Sequence, residues 1–207
     1  MKKVIILLLT TAVLLWTAYT GIKDLSDNKT EQAGEINDME NTLLKEAHDN
    51  YRKLTTFLIE NNLTITTMES CTSGLIASFI TDIDNSSKVF QGAAVTYSNN
   101  AKIAQGVSAE TIEKYGVYSK ETAIDMAKTA KKNFDTDIAV GITGSLGIAD
   151  PNNSDSTPGE VYFAIDYLDQ DVFYIEVKNQ GSKFLNKVYT ANRVCLELLN
   201  ILENQVK

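Results

Sequence analysis

The sequence predicts an α/β domain built on a mixed β-sheet, with helices on both faces of the sheet in three layers. Strand-like runs alternate with helical runs through the first half of the domain, which implies crossover connections and parallel pairing. Two strand-like runs then follow each other near the C-terminal end, which implies an antiparallel hairpin. The 207 residues, 43% of them hydrophobic, suffice for one domain with a core and a short appendage.

An apolar segment at the N-terminus precedes this domain. Val4–Ile22 carries no charged residue and follows Lys2 and Lys3, which is typical of a signal peptide or a signal anchor. At ~1.5 Å per residue it can just span a hydrocarbon core of ~30 Å. Ala18–Thr20 is a poor cleavage site, which favours an uncleaved anchor. We therefore predict that residues 1–22 anchor the chain in a membrane with the domain outside the cytoplasm, or, if they are cleaved, that the domain is secreted.

A polar linker and an amphipathic helix follow the apolar segment. Residues 23–41 are rich in Asp, Glu, Asn and Lys, as in a linker, so the folded domain is predicted over residues 42–207. Its first helix begins near Thr42 and ends at Asn61. The apolar stripe of this helix recurs at steps of three or four: Leu43, Ala47, Tyr51, Leu54 and Leu58. His48 lies one position off the stripe, so we expect it to be solvated.

The next segment is predicted to be a strand, a turn and a helix. Leu63–Met68 is β-rich, Glu69–Gly74 consists mostly of small residues, and an apolar helical run follows. A second strand is predicted over Phe90–Tyr97. A short helix then opens at Ser98 and contains Lys102.

The rest of the domain continues the alternation and ends in a hairpin and a helix. The predicted elements are two helices, a buried strand, a hairpin and a final helix: Ser108–Tyr115, Ser119–Phe134, Asp137–Thr143, Glu160–Tyr167 with Val172–Lys178, and Ser182–Glu203. Ser108 and Ser119 are the predicted N-caps of their helices. The loop Gly144–Pro158 is too long for a plain turn.

Composition restricts the possible functions. A net charge of −8 argues against a nucleic-acid partner, so we expect a small-molecule ligand. Cys71 and Cys195 are expected to be unpaired thiols. His48 is the only histidine. If it lies outside the site, a Ser-His-Asp triad, a Cys-His pair and a multi-His zinc centre are all excluded.

Two positions can carry chemistry without histidine. Ser70 follows a strand and precedes a helix, which suits either an exposed nucleophile or an ordinary helix cap. Lys102 lies in the helix after the second strand, and a buried lysine can lose its proton and act as a general base. Tyr97 stands at the end of that strand and can assist. The spacing alone does not establish that Ser70 and Lys102 meet.

Several motifs resemble one known family. Thr67–Gly74 reads TMESCTSG and resembles the T-x-E-S-C-T-G-G signature of the CinA C-terminal family. Val95–Lys102 reads VTYSNNAK and is similar to the family's Y-S-N-x-x-K motif. Val140–Gly147 is similar to the family's V-T-G-I-A-G stretch, with Thr143 and Gly144 in register. The similarity runs in chain order from about Leu54 to Ile201.

The resemblance implies an activity and a set of site residues. Amidases of this family hydrolyse the carboxamide of nicotinamide mononucleotide to the acid and ammonia, and they need no metal or cofactor. Carried over to this chain, the catalytic residues are Ser70, Tyr97 and Lys102. The substrate-binding residues would be Glu69, Thr72, Ser73, Gly74, Asn99, Thr143 and Gly144. The resemblance also implies a homo-oligomer.

Some roles in this set have alternatives. Glu69 either orients Lys102 or caps the turn, and Asn99 either binds ligand or caps its helix. Backbone N–H groups of Thr72–Gly74 would hold the oxyanion or the substrate phosphate.

The chain departs from the family pattern at four places. Ser73 replaces a glycine of the signature, and residues 147–153 replace a Gly-Pro-Asp-Gly-Gly loop. Lys183 stands where the family has arginine before the last helix. The predicted membrane segment has no counterpart in the soluble family amidases. Three hypotheses therefore stay open: the nucleotide amidase, a Ser-Lys amidohydrolase for another amide outside the cytoplasm, and a member that binds a nucleotide or a protein without catalysis.

Overall fold

The computed structural model describes Asp38, residues 40–177 and residues 182–205. The predicted membrane segment and nearly all of the predicted linker lie outside the described residues, so both stay predictions. No helix in the described part is long and apolar enough to cross a membrane. The chain divides into two units after Thr42, and the second, Leu43–Lys207, is compact.

The compact unit is built on one five-stranded sheet. The strands are β1 Ile65–Glu69, β2 Phe90–Val95, β3 Ile138–Gly144, β4 Glu160–Tyr167 and β5 Asp169–Glu176. Their order across the sheet is β2-β1-β3-β4-β5. β1 pairs in parallel with both β2 and β3, whereas β3, β4 and β5 pair antiparallel. The predicted mixed sheet, parallel in its first half and closed by a hairpin, is confirmed.

Six helices surround this sheet in the described residues. They are α1 (residues 40–61), α2 Leu75–Thr81, α3 Asn99–Gln105, α4 Ala109–Tyr115, α5 Lys120–Phe134 and α6 Lys183–Gln205. Serines cap the N-termini of the three middle helices: Ser98 caps α3, Ser108 caps α4 and Ser119 caps α5. In each case the serine hydroxyl accepts a hydrogen bond from a backbone N–H of the first turn. The two predicted caps, Ser108 and Ser119, are therefore confirmed.

Alternating side chains of β3 show how the layers form, because successive residues of a strand point to opposite faces. Ile138, Val140 and Ile142 belong to the core that α1, α2 and α6 cover. Ala139 packs on the other face with Met126 of α5. A side chain at Gly141 would collide with the backbone of α5, so this glycine lets α5 lie close against the sheet. Helices therefore cover both faces, as predicted.

Several strand boundaries differ from the sequence prediction by one to three residues, and the start of β5 differs most. β5 begins at Asp169 rather than Val172, and only Leu168, at φ 56°, separates it from β4. The prediction relied on a run of β-rich side chains. Main-chain hydrogen bonds, which do not depend on side-chain polarity, continue the strand to the tip of the hairpin. β2 ends at Val95, two residues earlier than predicted.

The three parallel strands end at one edge of the sheet. Glu69, the last residue of β1, lies beside Val95 on β2 and Ile142 on β3. In open α/β sheets, ligands bind outside the carboxyl ends of the parallel strands. The segments that carry the predicted site residues therefore leave the sheet at this edge.

Candidate active site

The turn after β1 is organised around a buried carboxylate. Glu69 has no exposed surface. Its two oxygens accept five hydrogen bonds, from the hydroxyls of Thr67 and Thr72 and from the backbone N–H groups of Gly74, Ile76 and Ala77. These N–H groups open α2 and have no partner within the helix, so the carboxylate caps α2 from inside the turn.

Ser70 is held directly beside this carboxylate. Its backbone N–H donates to the carbonyl of Ile142 at 3.1 Å, which continues the β1–β3 pairing by one residue. Only 5% of Ser70 is exposed, yet it lines a cleft. Its hydroxyl therefore lies at the floor of a solvent-filled depression.

Lys102 reaches Ser70 from α3. Its Nζ lies 3.0 Å from the Ser70 Oγ and 2.8 Å from the carbonyl oxygen of Thr96. The side chain is 1% exposed. Burial lowers the pKa of Lys102 from its ordinary 10.5 to about 8. Electrostatic interactions with Cys71 and Asp150 oppose this shift but are weaker than the effect of burial. A substantial neutral fraction of the amine is therefore available near physiological pH, as a general base requires.

Tyr97 lies at the mouth of the same cleft. It is 65% exposed, and its hydroxyl makes no hydrogen bond within the described residues. The structure therefore joins Ser70 to Lys102 directly, whereas Tyr97 contacts neither through its hydroxyl.

The cleft has a volume of about 400 Å³, within the ~300–1,000 Å³ usual for small-molecule sites. Its walls come from the turn after β1, the start of α3, the segment before α5 and the loop after β3. Among the residues that line it, Asp150 and Lys183 carry charge. The cleft therefore presents one carboxylate and one ammonium group to a ligand.

A network of side chains holds the far wall. The Asp150 carboxylate accepts from the Tyr118 hydroxyl at 2.8 Å, from the Asn153 side chain at 2.6 Å, and from the backbone N–H of Asn152 at 2.9 Å. Asn99 Nδ2 donates to Asn153 Oδ1 at 2.8 Å. The loop after β3 is thereby joined to α3.

The sequence model of the CinA C-terminal domain family matches residues 48–203 of this chain. The chain belongs to the CinA C-terminal domain family. A CinA-like protein of Fervidobacterium nodosum is 49% identical over 104 residues, which are 50% of this chain and 25% of that protein. A Clostridium botulinum (strain Kyoto / Type A2) protein named as competence-damage inducible is 35% identical over 169 residues, 80% of this chain and 38% of its own length. This chain thus matches well under half of each relative.

Solved structures of the CinA superfamily share the fold. A superfamily protein from Escherichia coli superposes with a TM-score of 0.70 at 25% identity, over 75% of this chain and 90% of that one. A competence/damage inducible protein from Agrobacterium tumefaciens gives 0.69 at 29% identity, over 76% and 96%.

The signature turn of the CinA family corrects one expectation. The N–H groups of Thr72–Gly74 were predicted to hold an oxyanion or a phosphate. Instead, Ser73 N–H donates to the Ser70 carbonyl and Gly74 N–H to the Glu69 carboxylate. These two donors are therefore already used, whereas the Thr72 N–H has no acceptor within the described chain. Across the cleft, by contrast, the backbone N–H groups of residues 147–149 have no acceptor within the described chain.

Other predicted ligand contacts lie beneath the cleft rather than in it. Glu69 and Thr72 are buried and bonded to each other, and Thr143 Oγ1 donates to the Val117 carbonyl. Gly144 lines the cleft, and Asn99 lines it with its amide directed to Asn153. Ser98, not Asn99, caps α3.

Ser73 stands at φ 57°, in the left-handed region that glycine favours. It does not line the cleft: its hydroxyl donates to the Ser70 carbonyl at 3.4 Å and accepts from Lys187 Nζ at 3.1 Å. The serine that replaces the family's glycine therefore leaves the depression above Ser70 open.

Histidine takes no part in this centre. His48 lies on α1 with its Nε2 4.0 Å from Asp82, and it does not line the cleft. Cys71 and Cys195 are buried free thiols, as expected, and burial raises the pKa of Cys71 to about 12. No cluster of His, Cys, Asp or Glu in the described chain could hold a metal ion. A nucleophile here has Lys102 beside it as its base.

Sequence reasoning did not single out Tyr118 or Lys187. Tyr118 lies between two helices and approaches the cleft only because the loop after β3 folds toward it. No local pattern marks such a position. Asp150 lies at the centre of the wall network, although nothing in the sequence of its loop marks it for this position.

Proposed function

We propose that this domain hydrolyses a carboxamide to the acid and ammonia, with nicotinamide mononucleotide as the substrate. The observation that carries the proposal is the 3.0 Å contact between Lys102 Nζ and Ser70 Oγ in a buried centre. Membership of the CinA family and the intact Ser-Tyr-Lys trio support the substrate.

The reaction uses Ser70 and Lys102 in two half-reactions. The neutral Lys102 amine takes the proton from Ser70 Oγ while the oxygen attacks the carboxamide carbon. Lys102 then gives that proton to the leaving nitrogen, so that ammonia departs and an ester of Ser70 remains. Water attacks the ester carbon, Lys102 accepts a proton from the water, and the acid leaves as Ser70 regains its hydrogen.

The developing oxyanion needs donors opposite Ser70. The backbone N–H groups of residues 147–149 have no acceptor within the described chain and suit this role, whereas the Ser73 and Gly74 donors of the turn after β1 are in use. Tyr97 then acts on the substrate, which its exposed position at the cleft mouth favours. Glu69 and Thr72 position Ser70, while Asn99 and Gly144 shape the wall.

Lys183 suits an anionic part of the ligand. It begins α6 at the cleft rim, close to Gly147. A substrate phosphate there would place the ring between Lys183 and the catalytic floor.

The domain acts as a homo-oligomer, tethered outside the cytoplasm by residues 1–22 or secreted. An amide present in that compartment is then the alternative substrate.

A second candidate function is binding without turnover. The irregular segment 147–153, which replaces the glycine-rich loop of the family pattern, favours it. In this case the cleft would hold a nucleotide or a segment of a protein partner, and Lys102 would only donate a hydrogen bond.

Ammonia release from nicotinamide mononucleotide by the purified full chain separates the two functions. Ser70→Ala is expected to lower turnover at least ~1,000-fold, because the attacking atom is lost. Ser78→Ala is the matched control, since this serine is exposed on α2 outside the cleft. If the folded wild-type chain releases no ammonia but the nucleotide raises its melting temperature, binding without turnover is correct. Equal activity in Ser70→Ala would refute the nucleophile.

A further inference from the structure

Tyr118 presents its hydroxyl to the cleft from a fixed backbone position. The residue lies between α4 and α5, and its own N–H donates to the Asp155 carboxylate at 3.0 Å. The half-buried ring lines the same cleft as Ser70. The partner of its hydroxyl, Asp150, lines this cleft as well. The Tyr118–Asp150 pair is therefore near the reacting centre.

The direction of the Tyr118–Asp150 hydrogen bond follows from the protonation of Asp150. Hydrogen bonds from Asn152, Asn153 and Tyr118 lower the pKa of Asp150 to about 2. An ionised carboxylate only accepts, so the phenol must be the donor. Burial and the adjacent Asp150 raise the pKa of Tyr118, which keeps the proton on the phenol at neutral pH.

The phenol oxygen can then only accept from a ligand. Its single hydrogen is committed to Asp150, so the lone pairs are what it offers to the cleft. Tyr97 differs, because its hydroxyl has no partner in the described residues and can rotate to donate or to accept. The two tyrosines of the cleft are therefore not equivalent.

We propose that Tyr118 selects the amide over the acid, by accepting one N–H of the substrate carboxamide and opposing the carboxylate of the product. This inference rests on the proposed amidase function. A carboxamide has two N–H donors, whereas a carboxylate has only acceptor oxygens, which would face both the phenol lone pairs and the Asp150 charge. Tyr118 is thus a specificity-determining residue that favours substrate binding and product release.

The binding ratio of amide to acid tests this role. The full chain carrying Ser70→Ala binds without turnover, so dissociation constants for nicotinamide mononucleotide and nicotinate mononucleotide can be compared by titration calorimetry. Adding Tyr118→Phe, which keeps the ring and removes the acceptor, is expected to reduce the amide preference about tenfold. Adding Asp150→Asn is expected to strengthen acid binding. Tyr115→Phe is the matched control, because this exposed tyrosine lies outside the cleft.

The ratio distinguishes selection from packing. A tyrosine that only packs would change both dissociation constants by one factor, and an unchanged ratio in Tyr118→Phe overturns the inference. A parallel assay of the wild-type chain keeps this result separate from the proposed function. Ammonia release with an unchanged ratio refutes the role of Tyr118 alone. Absence of ammonia release from the folded wild-type chain refutes the amidase and this inference with it.

Discussion

The two sides of the cleft are built in opposite ways. The turn Glu69–Gly74 has a carboxylate at its centre, and the backbone N–H groups of Ser70, Ser73 and Gly74 are all bonded. The segment 147–153 is irregular, with Ile148 88% exposed and the N–H groups of residues 147–149 unpaired within the described chain. It is held to its neighbours mainly through the side chains of Asp150 and Asn153.

Under the proposed function, this difference would separate the reacting groups from the groups that recognise ligand. The turn fixes Ser70 beside Lys102 through bonds that involve no ligand. In the opposite segment the N–H groups of residues 147–149 have no acceptor within the described chain, and the Asp150 carboxylate lines the cleft while it is bonded to Tyr118 and Asn153. Changes in residues 147–153 can therefore alter the substrate while the nucleophile keeps its geometry, and changes in the turn should affect rate and stability first.

The largest effect is expected from removing the base on the rigid side. Lys102→Met should lower turnover about 1,000-fold, because nothing else in the described centre can take the Ser70 proton. In the wild type, kcat/KM should rise with pH and level off above about 8, since only the neutral amine accepts a proton. A rate profile from about pH 6 to 9.5 measures the midpoint. Lys102→Arg is the control, because a guanidinium keeps the charge but stays protonated and should be equally inactive.

Lys102 also makes stability depend on pH. The pKa of about 8 in the folded chain lies below the ordinary 10.5, so between these values the unfolded chain binds more protons. Stability should therefore rise with pH across this window, by ~3 kcal/mol in total, and Lys102→Met should lack that rise. Urea denaturation of both proteins near pH 7.5 and 10 provides the comparison. A flat rate profile, or the same pH dependence of stability in both, would contradict a buried lysine of lowered pKa.

The next effect tests whether the turn depends on its central carboxylate. Glu69→Gln keeps the shape but brings amide hydrogens against backbone N–H groups and hydroxyls that need acceptors. We expect a loss of ~3 kcal/mol in the free energy of unfolding, as for other broken buried networks. Urea denaturation followed by circular dichroism measures it. Glu113→Gln, on the exposed side of α4, should change stability by less than ~0.5 kcal/mol. An unchanged urea midpoint in Glu69→Gln would show that the carboxylate is not what holds the turn.

Local signals were sufficient for most of the fold. The apolar stripe of α1, the serine caps of α4 and α5 and the β-rich runs depend on neighbours within a few residues, and the structure confirms them. The start of β5 was wrong because main-chain pairing continues past the β-rich side chains to Leu168.

The site was less accessible to sequence reasoning. Ser70 and Lys102 are 32 positions apart and meet because β1 and β2 pair in parallel with Glu69 beside Val95. The spacing of Ser70 and Lys102 in the sequence does not reveal how the two strands align. The pair was predicted from the resemblance to the family motif instead. The prediction was wrong for the N–H groups of Ser73 and Gly74 because acceptors within the turn compete with an oxyanion for the same donors. Gly74 N–H caps onto Glu69, and Ser73 N–H donates to the Ser70 carbonyl. Tyr118 depends on how the loop after β3 folds, so no short pattern could mark it.

The smallest expected effect concerns the one position of the turn that departs from the CinA signature. Ser73 adopts φ 57°, which costs a non-glycine residue about 1 kcal/mol. Ser73→Gly removes this cost, and Ser73→Ala keeps it, while both lose the hydroxyl contact with Lys187. We therefore expect the Gly variant to be more stable than the Ala variant by ~1 kcal/mol in urea denaturation. Equal stabilities of the two variants would mean that the backbone at residue 73 relaxes when the side chain changes. The turn Glu69–Gly74 would then be less rigid than its hydrogen bonds to Glu69 imply. Because Ser73 does not line the cleft, kcat should stay within about twofold in both variants, and a larger change would show that the backbone at this position affects the placement of Ser70.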